Sequence, residues 1–397
     1  MHKKIFDSEV LKKIPGFGVI VYKDGKKICE NFFGKRNLEK NLPVTENTKF
    51  RVASVSKIFI ALTILQLVEQ GKINLDEDAS EYLNFKLRNP NFPDEKITVR
   101  MLASHTSTLR DGKIYSLPPK FSLEKFFKSD KNSFGKENKN FFAYCNLNYG
   151  ILGTIIEKVT GERFDLYQKK NIFRQLEINA DYVVGNFSAK DFKNLGALYQ
   201  KNIAQIDDYK IKPPKNFISV QNPYVDGGSL FYSLKNYKIG TNATIFSPQG
   251  GLRISFKELA NCLEMFLNKG SFRGKKIIRE DLFSEMCKPQ WIYDEKIQNG
   301  DTLGVMFGYG LGLYQIRGNS PARFCKDAEI DFIGHSGEAF GMISGLYFRP
   351  NEKDGVIFMA NGTDFFAGDE KSFGKFSNNF IWEEEILNPV CKIFFSK

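Results

Sequence analysis

Phe50-Arg51-Val52-Ala53-Ser54-Val55-Ser56-Lys57 runs straight into Ile58-Phe59-Ile60-Ala61-Leu62-Thr63-Ile64-Leu65-Gln66-Leu67-Val68. The second half is apolar nearly all round, the pattern of a helix buried inside a domain, and Gly71 supplies its stop. A membrane span needs about 20 such residues, so this run is too short for one. Ser54 and Lys57 are three residues apart and share one helix face, so hydroxyl and amine can meet. A serine hydroxyl is a weak nucleophile until a base takes its proton. Lysine can be that base once burial or nearby charge lowers its pKa. The same spacing at Ser122/Lys125, Ser133/Lys136 and Ser372/Lys375 falls in more polar stretches and reads as solvated surface.

Outward from this run, Gly16 to Tyr22 and Lys27 to Phe33 flank Asp24-Gly25, a hairpin signature. Phe141 to Thr160 carries a helical pattern, with a helix expected from near Asn148 to Gly161, and Phe256 to Asn268 reads as an amphipathic helix closed by Gly270. β character returns over Gly308 to Tyr314, Met342 to Phe348 and Val356 to Ala360, and Phe380 to Phe395 reads as helix. Strands at both ends with helices between them predict an α/β chain of the α+β type. One antiparallel sheet forms from residues 1–74 and 295–397, flanked by helices, and a mainly helical domain over 75–294 is inserted, with the site at their junction. Residues 186–246, with Pro213-Pro214, Phe217, Tyr224, Phe231, Tyr232, Tyr237 and Phe246, read either as a lid or binding loop or as a surface insertion.

The chain has 397 residues and a formal charge of +11, yet acidic residues are interleaved with the basic ones. No basic helix or aromatic-basic platform appears, so nucleic acid is not the expected partner; Lys125 to Lys139 and Lys210 to Lys215 read as solvated loops. The six cysteines are scattered without a C-x-x-C, unlike a disulfide framework. With three histidines and no H-E-x-x-H, neither a metal nor a cofactor is implied. Met1-His2-Lys3-Lys4-Ile5-Phe6 meets Asp7 and Glu9 before any apolar core develops, so it is not a signal peptide as written. The expectation is a cytoplasmic protein, or a periplasmic one had a leader been removed, with no membrane span. The oligomeric state is left open.

Two further motifs fit the chemistry at Ser54. Tyr144-Cys145-Asn146 precedes a helix; beside a lysine cation the phenolate form of Tyr144 is favoured and could take the serine proton, while the Asn146 amide can anchor Lys57 or a substrate amide. Gly334-His335-Ser336-Gly337-Glu338 precedes the strand at Met342. Small residues there let a substrate lie along a strand edge, and the backbone N–H groups of Glu338 and Ser54 could both point at a developing oxyanion.

S-x-x-K, Y-x-N and H-S-G in this order resemble the serine β-lactamase and penicillin-binding protein superfamily, most of all its class C branch with related D-aminopeptidases, D,D-carboxypeptidases and esterases. Leu102 to Leu109 is similar to that family's L-L-x-H-T-S-G-L loop, with Thr108 where glycine is usual, and Ser247-Pro248-Gln249-Gly250-Gly251-Leu252 is similar to another of its segments. The resemblance implies a Ser54 nucleophile, proton transfer shared by Lys57 and Tyr144, and Asn146 orienting Lys57 and substrate. His335 stands where β-lactamases carry a substrate-contacting lysine. A neutral imidazole is a weaker carboxylate partner whose charge varies around pH 6.5, which argues against antibiotic resistance as the main role. The expected activity is hydrolysis of a small ester or amide, a D-amino-acid peptide or amide among them, on a small-molecule or peptide substrate. The alternatives are a catalytically weak binding protein and a true β-lactamase. No G-x-S-x-G elbow is present to suggest an α/β-hydrolase.

Overall fold

A computed structural model describes residues 5–112, 116–130, 132–137, 140–201, 203–205, 211–221, 229–363 and 372–396. Met1 to Lys4, Lys139, Lys210 and Tyr224, named above, lie outside the described residues.

The chain opens with β1 (Gly16–Lys23) and β2 (Lys26–Asn37), joined at Asp24 and Gly25. Both turn residues have positive φ (50° and 75°), as a two-residue hairpin turn requires. β3 (Leu42–Pro43) and β4 (Lys49–Arg51) lead to α1 (Ser56–Glu69), and α2 spans Asn146–Thr160. β5 (Arg253–Ser255) and α3 (Phe256–Leu267) precede the remaining sheet strands. These are β6 (Trp291–Ile292), β7 (Gly308–Tyr309), β8 (Tyr314–Ile316), β9 (Phe332–Ala339), β10 (Met342–Arg349) and β11 (Asp354–Ala360), followed by α4 (Ile381–Val390).

Among the described residues the main sheet has nine strands in the order β6-β7-β8-β9-β10-β11-β1-β2-β3. The first hairpin therefore docks on the last strand, with Phe17 opposite Ala360 and Tyr22 opposite Gly355. Both chain ends build one antiparallel sheet, as expected from the sequence. Val356, Phe358 and Ala360 face a cluster shared with Leu11, Ile386 and Leu387, while Ile357 and Met359 face the larger cluster around α1 and α2. A strand covered on both faces reads as an unbroken apolar run, which is why Val356 to Ala360 shows no polar alternation. Every residue of α1 from Ser56 to Leu67 is buried. Each large apolar side chain so removed from water contributes about 1.5–3 kcal/mol.

Three details differ from the sequence reading. The strand expected over Gly308 to Tyr314 is two short ones folded on each other, because Gly312 takes a φ of 72° and Gly310 N–H bonds to Leu313 O at 2.8 Å. α2 begins at Asn146 rather than near Asn148. α3, grouped by sequence with the helical insertion, packs on β10 and β11. Within 186–246 the described residues include a ladder pairing Phe217–Gln221 with Ser229–Ser233.

Candidate active site

The turn before α1 positions Ser54. β4 ends at Arg51, pairing with Arg253 of β5, and the chain turns through a single 3₁₀ segment, Ala53–Val55, to enter the helix. Ala53 has a φ of 45°, a left-handed conformation that costs a non-glycine residue free energy. The surroundings hold it there. Ser56 Oγ donates to Ala53 O at 2.7 Å and accepts from Leu252 N–H at 3.1 Å. Ser344 Oγ on β10 donates to Val52 O at 2.8 Å. A Cβ on Gly337 would stand 2.3 Å from Val52 O and 2.9 Å from Ser54 N, so only glycine lets β9 lie this close to the turn.

One helical turn on, Lys57 is fully buried. Its Nζ is 2.9 Å from Ser54 Oγ, 2.8 Å from Asn146 Oδ1 and 2.9 Å from the main-chain carbonyl of Gln249. Burial strips the ammonium of water and brings its pKa down to about 7, even though Asp111 pulls the other way. The ammonium position also lies 4.8 Å from the centroid of the Tyr144 ring. The Tyr144 pKa is pushed well above 10 by loss of solvation and by Tyr314, with a hydrogen-bonding interaction to Ser54 opposing. Tyr144 is therefore a protonated phenol, which corrects the expectation of a phenolate: burial outweighs a lysine that is itself only partly charged near neutrality.

Asn146 is the first residue of α2, and its orientation is imposed by Asp111, which the sequence reading missed. Asp111 Oδ2 accepts from Asn146 N–H at 2.9 Å and from Asn146 Nδ2 at 2.8 Å, and Oδ1 accepts from Leu147 N–H at 3.0 Å. The carboxylate thus caps the helix from thirty-five residues upstream. Because Nδ2 is committed to Asp111, Oδ1 must face Lys57. The loop that carries Asp111 includes His105 and Thr108 at φ values of 60° and 64°. The left-handed geometry at Thr108 explains the fit of glycine at that point of the motif, and the threonine is held by Asn89 Nδ2 donating to its Oγ1 at 3.0 Å.

His335 does not line an open surface. It is wholly buried, its Nδ1 donates to Ser336 O, and its Nε2 lies 3.1 Å from the Tyr309 hydroxyl. Its ring sits 4.2 Å from that of Tyr314 and 6.2 Å from that of Tyr144. Burial and the nearby Lys57 hold its pKa well below 6.5, so the charge change expected around that value gives way to a neutral imidazole. Ser336, Gly337 and Glu338 follow on β9. β8 pairs only with Phe332 to Gly334, so among the described residues Ser336 to Ala339 face no strand on that side. Ser54, Lys57, Tyr144 and Asn146 thus converge beside an open strand edge, while His335 braces the aromatic side chains behind it.

Among the described residues no group of three or more His, Cys, Asp or Glu is placed to hold a metal ion, and no helix is long and apolar enough to cross a membrane.

Comparison with known proteins agrees with this fold. Over most of its length the chain is similar to an N-acetylmuramyl-L-alanine amidase of Bacillus subtilis (strain 168), 24% identical with 77% of this chain and 72% of that protein covered. Protein flp of Staphylococcus aureus (strain N315) is 28% identical over 177 residues, which cover 41% of this chain and 34% of the relative. The match thus spans about a third of the length of the staphylococcal protein. Among solved structures, the octameric penicillin-binding protein homologue from Pyrococcus abyssi shares the fold with a TM-score of 0.65 at 24% identity, covering 92% of this chain and 74% of that one. SurE in a crystal structure with D-Leu follows at 0.61 and 21%, covering 91% and 70%. The sequence model of the family described as Beta-lactamase matches residues 6–373. The chain belongs to the beta-lactamase family, within the serine β-lactamase and penicillin-binding protein superfamily, whose enzymes are serine hydrolases.

Proposed function

We propose that this protein hydrolyses an ester or amide, D-amino-acid amides and peptides included, through an acyl-enzyme on Ser54. One observation carries the reading: a buried Lys57 amine with a pKa near 7, placed 2.9 Å from the Ser54 hydroxyl. A neutral amine has two N–H groups and one lone pair. The two N–H groups match Asn146 Oδ1 and Gln249 O, which leaves the lone pair for the Ser54 proton. Ser54 Oγ then bonds to the substrate carbonyl carbon as its proton moves to Lys57, and the tetrahedral oxyanion is held by the N–H groups of Ser54 and Glu338. Collapse breaks the bond to the leaving group, which takes a proton from Lys57 by way of the Tyr144 phenol. Water attacks the acyl carbon with its proton passing to the same base, and the acid departs as Ser54 regains its proton.

An amide substrate is supported by the amidase among the relatives, and an extended peptide by the open edge of β9. The buried, neutral His335 offers no cation for a substrate carboxylate, which disfavours efficient β-lactam hydrolysis. Ser54→Ala should abolish turnover of p-nitrophenyl esters and D-alanyl amides. Ser122→Ala should not, since Ser122 caps a separate helix by accepting from Lys125 N–H at 3.2 Å. Mass spectrometry after fluorophosphonate treatment should find the adduct on Ser54. An inert protein would instead support a binding role without turnover, and equal loss of activity in the two variants would remove Ser54 from the chemistry.

A further inference from the structure

On the opposite face of the sheet from α1, a cavity of about 80 Å³ opens between β8, β9 and the start of α4. Its lining includes Tyr314, Ser336, Tyr347 and Glu383, and its rim carries the exposed Leu303 and Phe373. Ser336 immediately precedes Gly337, where a Cβ would stand 2.9 Å from Ser54 N, so the strand that lines the cavity on one face borders the reacting centre on the other. Ser336 shares this lining with the Tyr314 and Tyr347 side chains. Glu383 is only 5% exposed. Its Oε2 accepts from Phe380 N–H at 3.2 Å, closing the first turn of α4. Among the described residues no hydrogen bond reaches Oε1, and no lysine or arginine pairs with the carboxylate. A carboxylate buried without a cationic partner is expensive. Loss of solvation accordingly raises its pKa to about 7.

We propose that this cavity receives a side group of the substrate that ends in an ammonium, with Glu383 as its partner. This rests on the hydrolase reading above. A substrate lying extended along the free edge of β9 points successive groups to opposite faces of the sheet. A group directed away from α1 enters the space in front of Ser336. A water needs about 10–15 Å³ on this scale, so the cavity has room for a chain of roughly five to eight heavy atoms. An aminoalkyl group of that length brings the missing positive charge to Glu383, and the Tyr314 and Tyr347 rings pack along its methylenes. A capping glutamate alone would satisfy Oε2 at the helix end, but it leaves both Oε1 and the adjoining space unexplained.

The test compares p-nitroanilides of D-lysine and of D-norleucine, which keeps the four side-chain carbons and lacks the ammonium. Wild type should favour the lysyl substrate in kcat/KM by at least tenfold, and Glu383→Gln should erase most of that preference, chiefly through KM. Direct binding gives a measure free of the variant's folding. By calorimetry, n-butylammonium should bind the wild-type protein at least fivefold more tightly than n-butanol. If Ser54 takes the fluorophosphonate label but the lysyl-to-norleucyl ratio is the same in both proteins, or if the two butyl probes bind equally, the cavity assignment is overturned and the hydrolase reading stands. If neither substrate is turned over and Ser54 stays unlabelled, the hydrolase reading falls, and the butyl probes alone decide the cavity.

Discussion

Lys57 sets the pH response of the site. With its amine titrating near 7, kcat/KM should climb as pH rises through 7 and flatten above it, because only the neutral form can accept the Ser54 proton. No second limb should arise from His335, which stays neutral over that range. The same shift acts on stability. Between about pH 7 and 10.5 the unfolded chain holds a proton on Lys57 that the folded one lacks, so Lys57 makes stability rise with pH there, by at most about 1.4 kcal/mol per unit. Below pH 7 its burial penalty is present in full. Lys57→Met should therefore lower turnover roughly 10³-fold while holding or raising the melting temperature. A variant that keeps activity, or a pH profile flat from 5.5 to 8.5, would exclude Lys57 as the base. The Ser54–Lys57 pairing was legible in sequence because a helix fixes what three-residue spacing does. Gln249 was not, since it acts through a main-chain carbonyl, which leaves no mark on residue type. The burial of His335 was equally hidden, because its partner Tyr309 lies twenty-six residues upstream.

α2 places its first residue in the site, and its start depends on a side chain from another loop. Removing Asp111 leaves the N–H groups of Asn146 and Leu147 and one amide N–H without an acceptor, worth about 2 kcal/mol for a lost cap. Asp111→Ala should lower stability by about that amount and free the Asn146 amide to rotate, cutting kcat on the order of 10²-fold. It should also move the acid limb of the pH profile to lower pH, since Asp111 now holds the Lys57 pKa up. A purely structural loss would leave that limb in place, so its position decides between the two. The elements themselves were well marked by apolar period, by Asp24-Gly25 and by the glycine stops. Their exact starts were not, because the cap of α2 comes from Asp111 and no local residue announces it.

The order of strands ties the whole molecule together. β1 and β2 lie between β11 and β3, so the hairpin nearest the start of the chain sits inside the sheet rather than at its rim. A chain lacking residues 1–37 should expose the β11 edge and aggregate. If it stays monodisperse with a single cooperative melt, the sheet does not depend on that hairpin. The sequence suggested a sheet made from both ends, but not its strand order, since pairing between β1 and β11 is a matter of tertiary packing. The all-round apolar surface of α1 has a consequence during translation. It packs on α2 and on the helix Glu280–Cys287, and the latter is made roughly 215 residues later, a lag on the order of 10–40 s at ribosomal speeds. For that interval the nascent chain holds a greasy segment with no finished shelter, so the newborn polypeptide, more than the mature one, is where chaperones should be needed.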